Sequence, residues 1–458
     1  MFIVDMDVQT LLRLDADLKD FVEDIFVSLR RKGWQERCSC YLTGLMLEGR
    51  RKSVQPMAAR LDEPNEQSLH HFVANTPWDP VPVRRQLARR MQEVIDPSAW
   101  VFDDTGFVKD GRLSPCVARQ YTGTVGKITN CQVATSLHLA TDQASCPINW
   151  RLFMPESWDP DSGKASADVA ARRAAAGIPD DEHHRPKWQL ALECVDEALS
   201  WGLHAPPVAV ADAGYGDAAQ FRHGLSARGI PYAVQISSAL TVLPATATRT
   251  TPPYQGRGRR PKPRYETPGR SVKDHIMALG ARRAARITWR IGSRQRHGEP
   301  QPMTSRFVFC RVLQADAGTR SMYQGQDLPE CWLIAEWPPK HTEPTRYWLC
   351  TLPPTTPQDP AHPGVQATLA RRTRLPGTEN RPRARPLRRP QMGRLAPPRH
   401  PGRRRPWIPH LATPPPKSNS AAMTLYGAVR SIQTYLARII GTCPTCNTRF
   451  PEHYFRDG

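Results

Sequence analysis

No apolar run in the 458-residue chain approaches the roughly 20 residues that span a bilayer, so no membrane segment is expected. No secretory leader is expected either, because Asp5, Asp7, Arg13 and Asp15 interrupt every early apolar stretch. The 11 cysteines are odd in number and scattered, which argues against a disulfide framework and for reduced thiols in a cytosolic protein. Paired metal-binding cysteines are lacking too. Cys443 and Cys446 have zinc-ligand spacing, but Cys38 and Cys40 are separated by one residue and lie far off, so no zinc site is expected. Acids are scarce: 43 Asp and Glu face 63 Lys and Arg, a net charge of +20 that points towards a polyanionic partner. That excess is unevenly spread. Between Arg371 and Arg405 there are 13 arginines against one acid, Glu379, so a tail carries more than half of it.

What is present begins with helical spacing. Leu11, Leu14, Leu18, Phe21, Ile25 and Leu29 recur on one face, and Val83, Leu87, Met91 and Val94 repeat the pattern further on. From Trp100 the period changes. The run Trp100–Phe102 reads as a strand that ends in a turn at Asp103-Asp104-Thr105-Gly106. Residues 132–139 alternate as a half-buried strand does, and 149–154 give a third strand. A helix over Trp188–Trp201 leads to the strand Val208–Ala211, which ends in Asp212 and the glycine turn Gly214-Tyr215-Gly216. A helix through Phe221 and Leu225 precedes a strand over Tyr232–Ile236. This order predicts an α/β sheet. Residues 241–354 carry three more strand-like runs, at 306–311, 331–335 and 346–350, and read as a β-rich insertion. Over 355–422 prolines, arginines and small residues replace any periodicity, which predicts a disordered Arg/Pro-rich tract. A helix and a polar tail close the chain over 423–458.

Asp103 and Asp212 each end an apolar strand with a glycine close behind. On adjacent strands two such carboxylates would hold divalent cations for phosphoryl transfer; on spacing alone, ordinary turn chemistry is the commoner reading of an acid and a glycine after a strand. The surrounding residues add to this. Trp100–Lys109 (WVFDDTGFVK) resembles the first-carboxylate motif of the DDE-type insertion-sequence transposases. Arg119–Gln132, Trp150–Trp158, Lys187–Ala191 (KWQLA) and Val210–Gly216 (VADAGYG) continue the resemblance in order, and Arg51–Met57 and His71–Trp78 precede it. The resemblance covers roughly residues 40–355.

It implies a ribonuclease-H-like core that binds two Mg²⁺ ions, with Mn²⁺ as a substitute, and cuts and joins double-stranded DNA at element ends and target, as a homodimer on DNA in a bacterial, nucleoid-associated setting. It places the metal-binding carboxylates at Asp103 and Asp212. Asp104 is a weaker third candidate, since on a continuing strand its side chain faces the other way. Lys109 and Lys127 fit phosphate contacts or solvated lysines. Arg257, Arg259, Arg260 and Lys262 form a basic loop that tracks a DNA backbone or simply moves in solvent. Residues 1–97 form a helical region for end binding or plain support, and 98–240 hold the first part of the core.

The family pattern then requires a helix with a Trp-Arg-x-x-Glu core, and none follows Pro354. Glu379 is flanked by Pro376, Gly377 and Pro382, which oppose a helix, and Glu336 belongs to the insertion, so no third catalytic glutamate is identified. Shifting the frame by one nucleotide allows the codons of Thr368–Arg389 to encode R-W-R-V-E and a helical continuation. A frameshift therefore accounts for the tract. The expectation is a transposase impaired in cleavage, or an inactive remnant that still binds DNA ends.

Overall fold

The computed structural model describes residues 8–47, 53–61, 66–141, 144–296 and 299–352. The chain divides into two compact units, with the boundary between Asp79 and Pro80. In the first, the described elements are α1 (Val8–Phe26), α2 (Lys32–Met46), α3 (Val54–Ala58) and α4 (Glu66–Asn75). Their inward residues include Ile25, Met57, Leu69 and Phe72, and Phe72 stacks on Trp78 with ring centroids 5.8 Å apart. No described helix is long and apolar enough to cross a membrane.

The second unit opens with α5 (Pro80–Ile95) and the strands β1 (Ala99–Val108), β2 (Ala118–Thr122), β3 (Lys127–Ala140) and β4 (Ser145–Leu152). Then come α6 (Val169–Ala176), α7 (Lys187–Ser200), β5 (Ala209–Ala211), α8 (Ala213–Gly216), α9 (Ala219–Ala227) and β6 (Tyr232–Ile236). The remaining elements are β7 (Thr241–Pro244), β8 (Arg249–Thr250), β9 (Arg264–Tyr265), β10 (Arg270–Ser271), α10 (Val272–Leu279), β11 (Ala285–Arg296), β12 (Glu299–Gln314), α11 (Ala317–Met322), β13 (Glu330–Glu336) and β14 (Arg346–Cys350).

The middle of the sheet runs β4-β3-β1-β5-β6, with β1, β5 and β6 parallel and β3 antiparallel to both β1 and β4. This is the ribonuclease-H-like arrangement, a mixed sheet flanked by helices. Its central strands are buried on both faces, which is why β1 opens as an unbroken apolar run (Ala99, Trp100, Val101, Phe102) instead of alternating. Helix α7 lays Leu190, Ala191, Cys194, Val195 and Ala198 on one face, at the spacing a helix needs to bury a stripe. Ala191, Cys194, Val195 and Ala198 join Trp100, Phe102, Leu137, Phe221 and Tyr232 in the main core.

Three expectations change in detail. The turn at Asp103–Gly106 does not form: β1 continues to Val108, paired with β3 along its whole length. Gly106 is nonetheless required there, because a Cβ would lie 1.8 Å from Thr122 Oγ1 where the β2–β3 hairpin folds over β1. Helix α5, read with the N-terminal helices, packs on the sheet, with Val81, Met91 and Ile95 against the main core. The insertion strands do not stand apart from the core sheet; β14 pairs with β6, and β13, β12 and β7 follow in the same ladder. The tract 355–422 and the closing segment, with Glu379, Cys443 and Cys446, lie outside the described residues.

Candidate active site

Parallel pairing aligns Trp100 with Ala209 and Val101 with Val210. Continued by two residues, this register sets Asp103 beside Asp212, about 4.8 Å away across the sheet. Neither position is accidental. Asp103 is fixed by the β1–β3 ladder opposite Ser136, whose hydroxyl donates to the Asp103 carbonyl at 2.9 Å. Asp212 caps α8, its Oδ1 accepting the Gly214 N–H at 2.9 Å. Gly216 completes that turn, since a Cβ there would fall 1.9 Å from the Gln235 carbonyl oxygen of β6.

The electrostatics follow from this crowding. Burial, and the nearby carboxylates of Asp212 and Asp104, push the Asp103 carboxyl up to about 6, against the Asp104 N–H that stabilises its charge. Asp212 is also raised, first by loss of water around it and then by Asp104, while the Gly214 and Tyr215 N–H groups and Lys187 pull it back. Its side chain still opens to solvent, so the two acids form a crowded mouth that bulk water reaches.

Asp104 lies with different partners. Its Oδ2 accepts from Lys187 Nζ and its Oδ1 from the Tyr215 hydroxyl, both at 2.5 Å. Tyr215 is 3.1 Å from Thr135 Oγ1, and Thr135 is the β3 residue opposite Asp104. Lys187 also sits 5.1 Å from the Phe153 ring centroid. Lys187 and Tyr215 were not foreseen as site residues, although both stand in the KWQLA and VADAGYG segments that the sequence singles out.

A further buried group holds the Asp212 turn from behind. Arg222, fully enclosed in α9, donates to the Gly216 carbonyl at 2.6 Å, to Gln314 Oε1 at 2.9 Å and to Asp316 Oδ2 at 2.5 Å. Gln314 in turn reaches the Tyr232 hydroxyl at 2.9 Å, tying β12 to β6.

The expected cations are spread more widely. Lys109 extends β1 through a 3.0 Å bond from its N–H to the Asn130 carbonyl, and Lys127 opens β3 exposed to solvent. Arg257, Arg259, Arg260 and Lys262 lie on an exposed loop, where the Arg260 guanidinium is 5.9 Å from the Tyr254 ring centroid. Glu336 is fully buried in β13, paired with Phe307 and Arg346 on either side.

A second acidic cluster was not anticipated: ligand atoms of Asp159, Asp161 and His183 lie within 4.8 Å of one another. Asp159 Oδ1 accepts the Asp161 N–H at 3.0 Å and lies 3.1 Å from His183 Nδ1, and its Oδ2 accepts the His184 N–H at 2.8 Å. Those bonds brace the loop.

A family model described as DDE superfamily endonuclease matches residues 24–296, a span that contains both Asp103 and Asp212. The chain belongs to the DDE superfamily endonucleases. Over 198 residues it is 26% identical to a protein described as a probable transposase for insertion sequence element IS701, from Microchaete diplosiphon. That match covers 43% of this chain and 47% of the relative, so it spans about half of each.

Proposed function

We propose that this chain is a transposase that acts on double-stranded DNA, with Asp103 and Asp212 as two carboxylates of a divalent metal centre. The observation that carries this reading is the β1–β5 register, which, continued past Val101 and Val210, brings Asp103 on β1 beside Asp212 just after β5. The donors fit the group: two hard oxygen ligands suit Mg²⁺, with Mn²⁺ as a substitute, and leave it most of its water shell. Asp103, held near pH 6 by burial and by its acidic neighbours, gains most from a nearby cation. Two bound ions would supply the activation of a water or 3′-hydroxyl and the neutralisation of charge at the phosphate.

The chain's own residues do the rest. Lys187 and Tyr215 occupy both oxygens of Asp104, which leaves Asp103 as the adjacent aspartate free to hold a cation with Asp212. Arg222 fixes the turn that presents Asp212. Lys109, Lys127 and the basic loop from Arg257 to Lys262 supply contacts to the DNA backbone, and the N-terminal helices bind element ends in a homodimer.

The third carboxylate belongs, on this reading, to the shifted frame after Pro354, and Glu336 does not replace it. The chain then binds DNA ends and cuts them poorly or not at all, which makes an inactive end-binding remnant the second reading. The test is Mg²⁺-dependent cleavage of the element's terminal DNA by this chain, by a frame-restored chain, and by the restored chain with Asp212→Asn. Only the restored chain should cut well, with the other two slower by at least about 10²- to 10³-fold. Equal cutting by this chain overturns the loss of the third acid; equal cutting by the Asp212→Asn chain overturns the site.

A further inference from the structure

The face of the sheet that carries Asp103 also carries a buried histidine, His138, outside the carboxylate pair. In the β1–β3 ladder Asp103 stands opposite Ser136 and Val101 opposite His138. Side chains alternate along a strand, so Asp103, Ser136 and His138 share one face, and Asp104 and Thr135 share the other. Ser136 is fully buried, and His138 keeps only 6% of its surface exposed.

Counting hydrogens fixes how the three residues are joined. The Asp103 carbonyl can only accept, so the Ser136 hydroxyl donates its one hydrogen there, at 2.9 Å. The Ser136 oxygen also lies 3.0 Å from His138 Nε2. With its hydrogen committed, Ser136 is the acceptor in that bond, and His138 Nε2 carries the proton. A directed chain of bonds therefore runs from the imidazole through Ser136 to the backbone of Asp103.

The chain does not stop at the carbonyl. The C=O of Asp103 and the N–H of Asp104 belong to one planar peptide unit, so holding the oxygen sets the direction of the N–H. That N–H donates to Asp103 Oδ1 at 2.8 Å. The β1–β5 pairing ends with Val101 and Val210, short of this peptide, so side chains steady the plane: Ser136 at its oxygen and Asp103 at its N–H. The same N–H opposes the burial that raises the Asp103 carboxyl, so its direction bears on the charge of the site.

Plain filling of the core is a poor account of this pair. Val101, Ala134 and Ala140 occupy the same face with apolar side chains, and an imidazole and a hydroxyl are costly to bury unless their bonds are made. Here the bonds are made in series, and the series ends on a member of the carboxylate pair. A satisfied buried network of this kind makes the groups it joins rigid.

We propose that His138 is a positioning residue for Asp103, acting through the Ser136 hydroxyl and the 103–104 peptide to aim the carboxylate. The proposal rests on the reading of Asp103 and Asp212 as a metal centre. It gives that centre an outer layer on β3, of the kind that orients ligating carboxylates in metal sites.

The test uses the full chain with Mn²⁺ as the probe. Free Mn²⁺ is followed by electron paramagnetic resonance, and only the binding that Asp103→Asn removes is counted. His138→Leu and Ser136→Ala should each weaken that binding about 10-fold, the low end for losing an outer partner of a metal ligand. Because both cut one chain of bonds, the double variant should bind no more weakly than either single one. His138→Gln, which keeps an N–H at the Nε2 position, should restore most of the affinity. The Asp104 amide resonance in aspartate-labelled protein needs no metal; it should shift in His138→Leu and return in His138→Gln. Unchanged Mn²⁺ affinity in the two single variants, even with stability lowered in urea, overturns the role of His138 and leaves the metal centre standing. Additive losses in the double variant, or no rescue by glutamine, do the same. Absence of any Mn²⁺ binding that depends on Asp103 overturns the metal centre, and with it the role of His138, even where the amide shifts.

Discussion

The ammonium of Lys187, the first residue of α7, bonds the carboxylate of Asp104 in the middle of β1, across 83 residues of sequence. This contact gives the two adjacent aspartates different partners. Asp104 is committed to a helix and a tyrosine, and Asp103 is left beside Asp212. Lys187 also lowers the Asp212 carboxyl, which burial and Asp104 raise. Lys187→Met should therefore move the Asp212 carboxyl further up, as followed by carbon-13 titration of labelled aspartate. The pair is about one-third exposed, so stability should fall by only about 1 kcal/mol. An unmoved Asp212 titration would show that the ammonium does not act on the site.

Asp103 predicts a pH dependence of stability. Its carboxyl titrates near 6 when folded, above the 3.8 of an ordinary aspartate, so the folded state binds the proton more tightly than the unfolded chain. Stability is then lost as pH rises from about 4 to 6 and the cost is fully present above that. Asp103→Asn removes it. The stability gap between variant and wild type in urea unfolding should widen from near zero at pH 4 to about 3 kcal/mol at pH 7. A divalent cation binding at this carboxylate competes with the same proton, so thermal stabilisation by Mg²⁺ should strengthen through that window. A gap that stays flat with pH contradicts the burial of this carboxylate.

Much of this was legible in the sequence, for identifiable reasons. The central strands announce themselves because burial on both faces demands unbroken apolar runs, and α7 because burial on one face demands a stripe. Asp103 and Asp212 were visible because each follows such a run. The supposed turn at Asp103–Gly106 failed because Gly106 was read as a turn former, when its lack of a side chain serves the close approach of Thr122. That approach comes from a hairpin whose fold over β1 leaves no periodic trace. Lys187, Tyr215 and Arg222 were illegible as a set, since their partners lie 83, 111 and 94 residues away. Membership of the insertion strands in the core sheet was hidden for the same reason: pairing partners are not written in local spacing.

Arg222 makes a second prediction about stability. It is fully enclosed, and its ion pair with Asp316 is joined by bonds to Gly216 and Gln314. Arg222→Met leaves Asp316 without its cation and the Gly216 carbonyl and Gln314 Oε1 without this donor. Unfolding free energy should drop by about 3 to 5 kcal/mol, the range for breaking a buried pair from one side. A loss below about 1 kcal/mol would mean that the guanidinium is not carrying the contact between α9 and α11.

Gly216→Ala tests the Asp212 turn without touching charge. The new methyl would need the space held by the Gln235 carbonyl, and backbone cannot swing aside as a side chain can. Destabilisation of about 3 kcal/mol or more is expected in a denaturant melt, within the range of overpacking. Gly111→Ala, where a Cβ meets nothing within 4 Å, is the matched control and should leave the midpoint unchanged.

The pairing of β14 with β6 joins Cys350 to Ala233, so more than a hundred residues must leave the ribosome after β6 before its second edge is covered. Until then a nascent chain carries β6, with Tyr232, Val234 and Ile236, as an open apolar edge of the kind that templates aggregation. Closing so long a loop also makes the step slow, since the entropy is lost before the contacts are gained. Chaperone dependence during synthesis, and insoluble products from messages cut short between the codons for Ile236 and Arg346, are the expected cellular consequences of that one ladder.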